Sequence, residues 1–84
     1  MENHILVEII IPKLERSYDV NIPIGKKVGN IIVLLNKSLS DVTGIDSANS
    51  KGKKLYNYNT KELYDLEDFI FKTDIRNGTR LVFI

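Results

Sequence analysis

Few side chains in this sequence of 84 residues are of types that do chemistry, and their spacing limits each of them. His4 is the sole histidine and has no second ligand type beside it, so it reads as a surface residue rather than a metal ligand or general base. Asp65, Glu67 and Asp68 in YDLEDF place three carboxylates close together, which would suit calcium. The run lacks the alternating Asp/Asn spacing and terminal bidentate glutamate of a calcium loop, so a solvated turn is expected. Cysteine is absent, which removes thiolate metal sites, disulfides and a cysteine nucleophile. There is no Gly-rich phosphate loop, no Ser/His/Asp set and no HExxH. No catalytic residue, metal site or cofactor is expected, and the chain reads as a non-enzyme.

One group points to nucleic acid. Lys51, Lys53 and Lys54 stand directly before Tyr56 and Tyr58, a basic stretch next to aromatics that bases could stack on. A nucleic-acid domain usually carries a basic field, whereas 12 Lys+Arg here face 11 Asp+Glu, a net charge of +1. Nucleic acid is therefore not the expected partner. A basic loop that steers an acidic protein partner fits better. An RNA- or ribosome-associated domain using the Lys51–Lys54 loop stays open as the alternative.

The length allows one domain, spanning residues 1–84, with a core of modest surplus stability. An apolar fraction of 43% and a charged fraction of 27% suit a soluble globular chain. The start, MENHILVEIII, lacks a basic n-region and a cleavage site, and its apolar run is too short to span a bilayer. A cytoplasmic location without direct membrane insertion is expected.

The elements follow from periodicity. HILVEIIIP (His4 to Pro12) is dense in β-branched residues and predicts a strand, with Ile5, Val7, Ile9 and Ile11 on one face and Leu6, Glu8 and Ile10 on the other. YDVNIPI (Tyr18 to Ile24) alternates cleanly and predicts the second strand of a hairpin. From Lys27 to Val42 the period lengthens: Val28, Ile31, Ile32, Leu35, Leu39 and Val42 form one helical stripe, with Gly44 as its C-terminal glycine. Ile45 to Lys54 reads as the most mobile loop. Leu55 to Asn59 predicts a third strand, Glu62 to Tyr64 a short fourth, Asp68 to Phe71 a helical turn, and Gly78 to Ile84 the last strand. One helix on one face of a mixed sheet of four to five strands buries that stripe most simply, an α+β architecture.

This order resembles the β-grasp, and several stretches resemble ubiquitin. From Ile70 to Ile84 the pattern I-x-x-x-x-I-x-x-G-T-x-L-x-F-I runs without a gap against ubiquitin's closing turn and strand. Within the β-grasp group, DIRNGTRLVFI is most similar to the closing motif of the small YukD/EsaB proteins, ubiquitin-like components of type VII secretion loci. The resemblance implies a ubiquitin-like module without cofactor, acting by protein–protein binding as an accessory or regulator of such a machine. It also implies a location peripheral to the membrane, through docking to a membrane-embedded secretion component. The sequence ends at Ile84 with no Gly-Gly tail, and no internal Gly-Gly is present. Conjugation and sulfur-carrier roles, which depend on that tail, are therefore not expected.

A sheet covered on one side should be polar on the other. The alternation here sends Leu6, Ile10, Val82 and Ile84 to the uncovered side, and the first and last strands of a β-grasp are neighbours. Val82 and Ile84 align with part of ubiquitin's partner-binding patch. Tyr56 falls near a further patch position, and Leu14 in the first turn is expected at the rim. The protein-binding face is thus expected at Leu6, Ile10, Val82, Ile84, Tyr56 and Leu14. A homodimer through the same face is a second use, and cover by the Ile45–Lys54 loop would leave the face without any.

Overall fold

The structure, a computed structural model, describes residues 3–43 and 52–84. The expectations for Gly44, for the loop from Ile45 through Lys51 and for the side chain of Val42 lie outside the described residues.

Strand β1 (His4–Ile11) and strand β2 (Arg16–Pro23) form an antiparallel hairpin in full register, from His4 opposite Pro23 to Ile11 opposite Arg16. The link between them is a single 3-10 turn (Pro12–Leu14). It closes on Glu15, whose φ of 53° is left-handed and lets the chain reverse. Strand β2 begins two residues earlier than its apolar alternation predicts, because Arg16 and Ser17 complete the ladder against Ile11 and Ile10.

Helix α1 (Val28–Thr43) follows, one residue later than its periodicity predicts. Val28, Ile31, Ile32, Leu35 and Leu39 are buried as the stripe requires, and Asn36 is buried with them. Two of its unpaired N-terminal N–H groups are met by the segment that passes the helix start: Val28 N–H donates to the carbonyl of Asp68 (2.8 Å) and Gly29 N–H to that of Leu66 (3.0 Å). Glycine favours this close approach, since a Cβ at position 29 would lie a tight 3.3 Å from the Leu66 carbonyl oxygen.

Strand β3 (Leu55–Asn57) and strand β4 (Arg80–Phe83) complete a four-stranded sheet ordered β2-β1-β4-β3. β4 runs parallel to β1 and antiparallel to β3. The third strand is shorter than predicted, because Asn57 turns the chain: its side-chain Oδ1 accepts the N–H groups of Asn59 (2.8 Å) and Thr60 (3.0 Å). Glu62–Tyr64 is not a strand of its own. It makes one isolated bridge, Tyr56 to Leu63, flanked by Asn57 N–H to the Glu62 carbonyl and Tyr64 N–H to the Leu55 carbonyl. The predicted helical turn is a 3-10 turn at Ile70–Lys72, two residues later, placed to bury Ile70. Gly78, at φ 90°, makes the turn into β4.

The core lies between sheet and helix: Val7, Ile9, Ile11, Ile22, Leu55, Leu81 and Phe83 from the strands, the helix stripe, and Ile70 and Ile75 from the returning chain.

Candidate protein-binding face

The side of the sheet away from α1 is built in cross-strand rows. Residues paired across neighbouring strands point to the same face, so each row can be read from the register. One row runs Ser17, Ile10, Val82, Tyr56, Leu63. Four of its five members are apolar or aromatic, and from Ile10 to Leu63 it spans three strand spacings, about 15 Å. The next row runs Asp19, Glu8, Arg80, with Tyr58 beside Arg80 through its N–H to the Arg80 carbonyl (3.0 Å). It is polar. Arg80 Nε donates to Glu8 Oε1 at 3.2 Å, and the Tyr58 ring lies near Arg80 and under the Lys61 ammonium (5.8 and 4.5 Å).

These rows place the predicted residues as follows. Ile10 and Tyr56 are half-buried on either side of Val82. Val82 is only 3% exposed, flanked by those two neighbours on the side of the sheet away from α1. Ile84 continues the alternation past β4 and is 49% exposed; its backbone N–H and C=O are both paired with Lys54 (3.0 and 2.6 Å). Leu6 is exposed too, but it does not join this row. The Glu8–Arg80 ion pair stands between it and Ile10, and Asn77 Oδ1 accepts its N–H at 2.8 Å.

Leu14 is placed deeper than expected. The 3-10 turn packs it, half-buried, against the core cluster, and it lines a cavity of about 270 Å³ with Ile11, Leu39, Phe83 and Ile84. Leu63, by contrast, was not anticipated. It is 59% exposed and extends the apolar row beyond β3. Its alternation with Tyr64 was visible, but only the bridge to Tyr56 says which face it joins.

The other chemistry-bearing groups take structural positions. Asp65 Oδ1 accepts the Glu67 N–H (2.9 Å), and Glu67 meets Lys27 at 3.2 Å, so the acidic run shapes a turn. Among the described residues no three His, Cys, Asp or Glu side chains gather into a metal site. His4 is exposed at the start of β1. Of the three lysines, Lys51 lies outside the described residues. Lys53 sits 5.9 Å from the Phe83 ring centre, and Lys54 is held to Ile84 through its backbone. Among the described residues no helix is long and apolar enough to cross a membrane.

Behind the apolar row, Tyr64 ties β3 to the chain that returns toward β4. Its hydroxyl donates to Asp74 Oδ1 (2.6 Å) and accepts from Asn57 Nδ2 (3.0 Å). Burial first, and then the bond to Asp74, push its pKa up to about 12. The unfolded state ionises earlier, near 10, so this part of the stability is complete below pH 10 and is lost as pH rises toward 12. Tyr64→Phe should cost about 1 kcal/mol at neutral pH. The gap in urea midpoint between variant and wild type should narrow when both are measured near pH ~11 instead of pH ~8. A gap that stays constant would show that the hydroxyl does not titrate with folding.

No family model matches the chain, and no curated protein matches it in sequence. Solved structures do match. The N-terminal ubiquitin-like domain of a protein studied in solution superposes with a TM-score of 0.78 at 14% identity, over 100% of this chain and 76% of that one. The ubiquitin-like domain of the Mycobacterium tuberculosis type VII secretion system protein EccD1 superposes with a TM-score of 0.74 at 15% identity, over 99% of each chain. Ubiquitin of Caldiarchaeum subterraneum gives a TM-score of 0.69 at 10% identity, over 96% of this chain and 91% of that one. At these identities the agreement concerns the path of the chain and not its activity. One helix on a mixed sheet in the order β2-β1-β4-β3, with a parallel β1–β4 pair at its centre, is the ubiquitin-like β-grasp fold.

Proposed function

We propose that this chain is a ubiquitin-like interaction module that works by non-covalent protein–protein contact through the apolar row of its outer face. The observation that carries the reading is that row itself. Ile10, Val82, Tyr56 and Leu63 lie side by side with Ile84 next to them, on the sheet side that no element among the described residues covers. A contiguous apolar strip on a solvated sheet face marks a binding surface more strongly than scattered exposed leucines do. The match to the EccD1 domain over 99% of both chains supports a place in a type VII secretion apparatus, as an accessory or regulatory part of the YukD/EsaB kind. In that setting the module acts on the cytosolic side and docks to a membrane-embedded component.

The test is a titration of the full chain against the cytosolic portions of type VII secretion membrane subunits. Ile84→Asp and Leu63→Asp serve as probes, because both side chains are already solvated and the fold should tolerate a charge there. Salt-insensitive binding, weakened about tenfold or more by either variant (at least ~1.4 kcal/mol), is the expected result. Binding that survives both substitutions would move the contact off this face. The secretion assignment would fall if none of those subunits binds.

A further inference from the structure

The two edges of the sheet are finished differently. The β3 edge is closed by the Glu62–Tyr64 segment, whose bonds to Leu55 and Asn57 take up its outward groups. At the other edge, among the described residues, β2 pairs with β1 alone. On β1, Leu6 and Glu8 direct their backbone groups to the β4 side, where Glu8 N–H meets the Thr79 carbonyl (3.0 Å) and the Leu6 carbonyl accepts from Gly78 (2.7 Å). Val7, Ile9 and Ile11 therefore bond to β2, at Val20, Tyr18 and Arg16. What remains is fixed by alternation. The N–H and C=O groups of Ser17, Asp19 and Asn21 point out of the sheet, and no described residue pairs with them.

The flanks of this edge have a definite character. On the helix side Tyr18 and Val20 are half-buried, packed on the core yet open at the margin. Leu34 is 47% exposed on the flank of α1 opposite Gly29, the residue that touches Leu66 near β3; it therefore faces the β2 end of the sheet. On the outer side stand Ser17, Asp19 and Asn21. Asp19 lies directly across from Glu8, a like-charged pair, and the nearby Arg80 is engaged on the far side of Glu8.

We propose that the β2 edge is a second binding site, which takes an extended segment of a protein partner as a fifth strand. The occupant is defined by the two flanks. Alternate apolar side chains would lie against Tyr18, Val20 and Leu34, and a lysine or arginine between them would face Asp19. Backbone bonds to Ser17, Asp19 and Asn21 supply the affinity, and the alternating side chains supply the selection. A second copy of this chain fits poorly. Pairing symmetric about Asp19 sets two carboxylates opposite each other, and pairing symmetric about Val20 asks for an N–H that Pro23 lacks. This site is independent of the outer-face row, and either can fail without the other.

The test uses the full chain, labelled for NMR, and two synthetic peptides of alternating valine and threonine with a single central lysine or a single central glutamate. With the lysine peptide, the amides of Ser17, Asp19 and Asn21 should shift and gain protection from exchange, while those of Tyr56 and Leu63 stay in place. The glutamate peptide should bind about threefold to tenfold more weakly, from the loss of one favourable cross-strand charge pair and the gain of an unfavourable one. Asp19→Lys, an exposed change that leaves every backbone group in place, should reverse that order. Equal affinity for both peptides in the wild type would overturn the proposal, as would shifts confined to the outer-face row. Protection of the three amides that grows with protein concentration in the absence of peptide would also overturn it, because a second copy would then be the occupant.

Discussion

Ile9→Ala should lower the stability of this chain by about 3–4 kcal/mol, the largest loss expected from a single truncation. Ile9 has no exposed surface and lies at the centre of the sheet, between Leu81 on β4 and Tyr18 on β2. Its side chain points at α1, among the buried residues of the helix stripe. The loss combines the transfer free energy of the missing carbons with a cavity that two ladders and a helix hold open. A chain of this size has a total stability of about 4–13 kcal/mol, so a quarter or more would go, and the protein could fall near its unfolding midpoint at room temperature. Ile9→Val removes one carbon and should cost about 1 kcal/mol. Urea unfolding of the three proteins, with unchanged slope, gives the comparison. A loss below ~1 kcal/mol for the alanine variant would mean that the core closes over the gap.

Val82→Asp should be nearly as damaging, although position 82 lies on the side of the sheet away from the helix. Ile10 and Tyr56 flank the side chain and leave it 3% exposed. A carboxylate there would lose its water without gaining a charge partner, at a cost of about 3 kcal/mol. Burial raises the pKa of the introduced carboxyl above its unfolded value of about 3.9, so the penalty is absent below that pH and grows as pH rises through the folded value. The deficit against wild type should therefore shrink on acidification toward pH ~4. Ile84→Asp and Leu63→Asp, on the same side but 49% and 59% exposed, should change stability by about 0.5 kcal/mol or less. Chemical denaturation of all three variants at neutral and acidic pH separates these outcomes. If Val82→Asp proved as stable as the other two, the strip would be open at its centre. If all three unfolded, none could report on binding.

Much of the fold could be read in the sequence because its strongest signals are local. The alternation of Ile5, Val7, Ile9 and Ile11 against Leu6, Glu8 and Ile10 identifies both a strand and its buried side. The spacing of Val28, Ile31, Ile32, Leu35 and Leu39 identifies the helix face, and all five are buried. The Asn77-Gly78 turn marks the entry to the last strand, where Gly78 adopts the positive φ that such a turn demands. The segment between β3 and β4 was harder. Glu62–Tyr64 has strand-like residues, yet Asn57 organises a tight turn that leaves room for one bridge and no ladder. Propensity could not foresee that, because the competing bonds come from a side chain.

The face followed the same division. Alternation alone placed Ile10, Val82 and Ile84 on one side of the sheet, and nothing beyond the parity of each strand was required. Parity is local; adjacency is not. Only the register between strands decided that Ile10, Val82, Tyr56 and Leu63 form one row and that Glu8 and Arg80 separate Leu6 from it, and only the 3-10 turn decided that Leu14 packs against the core. Exposure is likewise a property of neighbours rather than of residue type. Val82 and Ile84 are alike in sequence and on the same side, but Val82 is flanked on two strands by larger side chains, whereas Ile84 has the lysine at position 54 opposite it. The sequence by itself determined which residues share a face, and the tertiary structure decided which of them touch and which meet water. The physical reason is that side-chain direction follows from backbone geometry within one strand, whereas burial depends on what long-range pairing brings alongside.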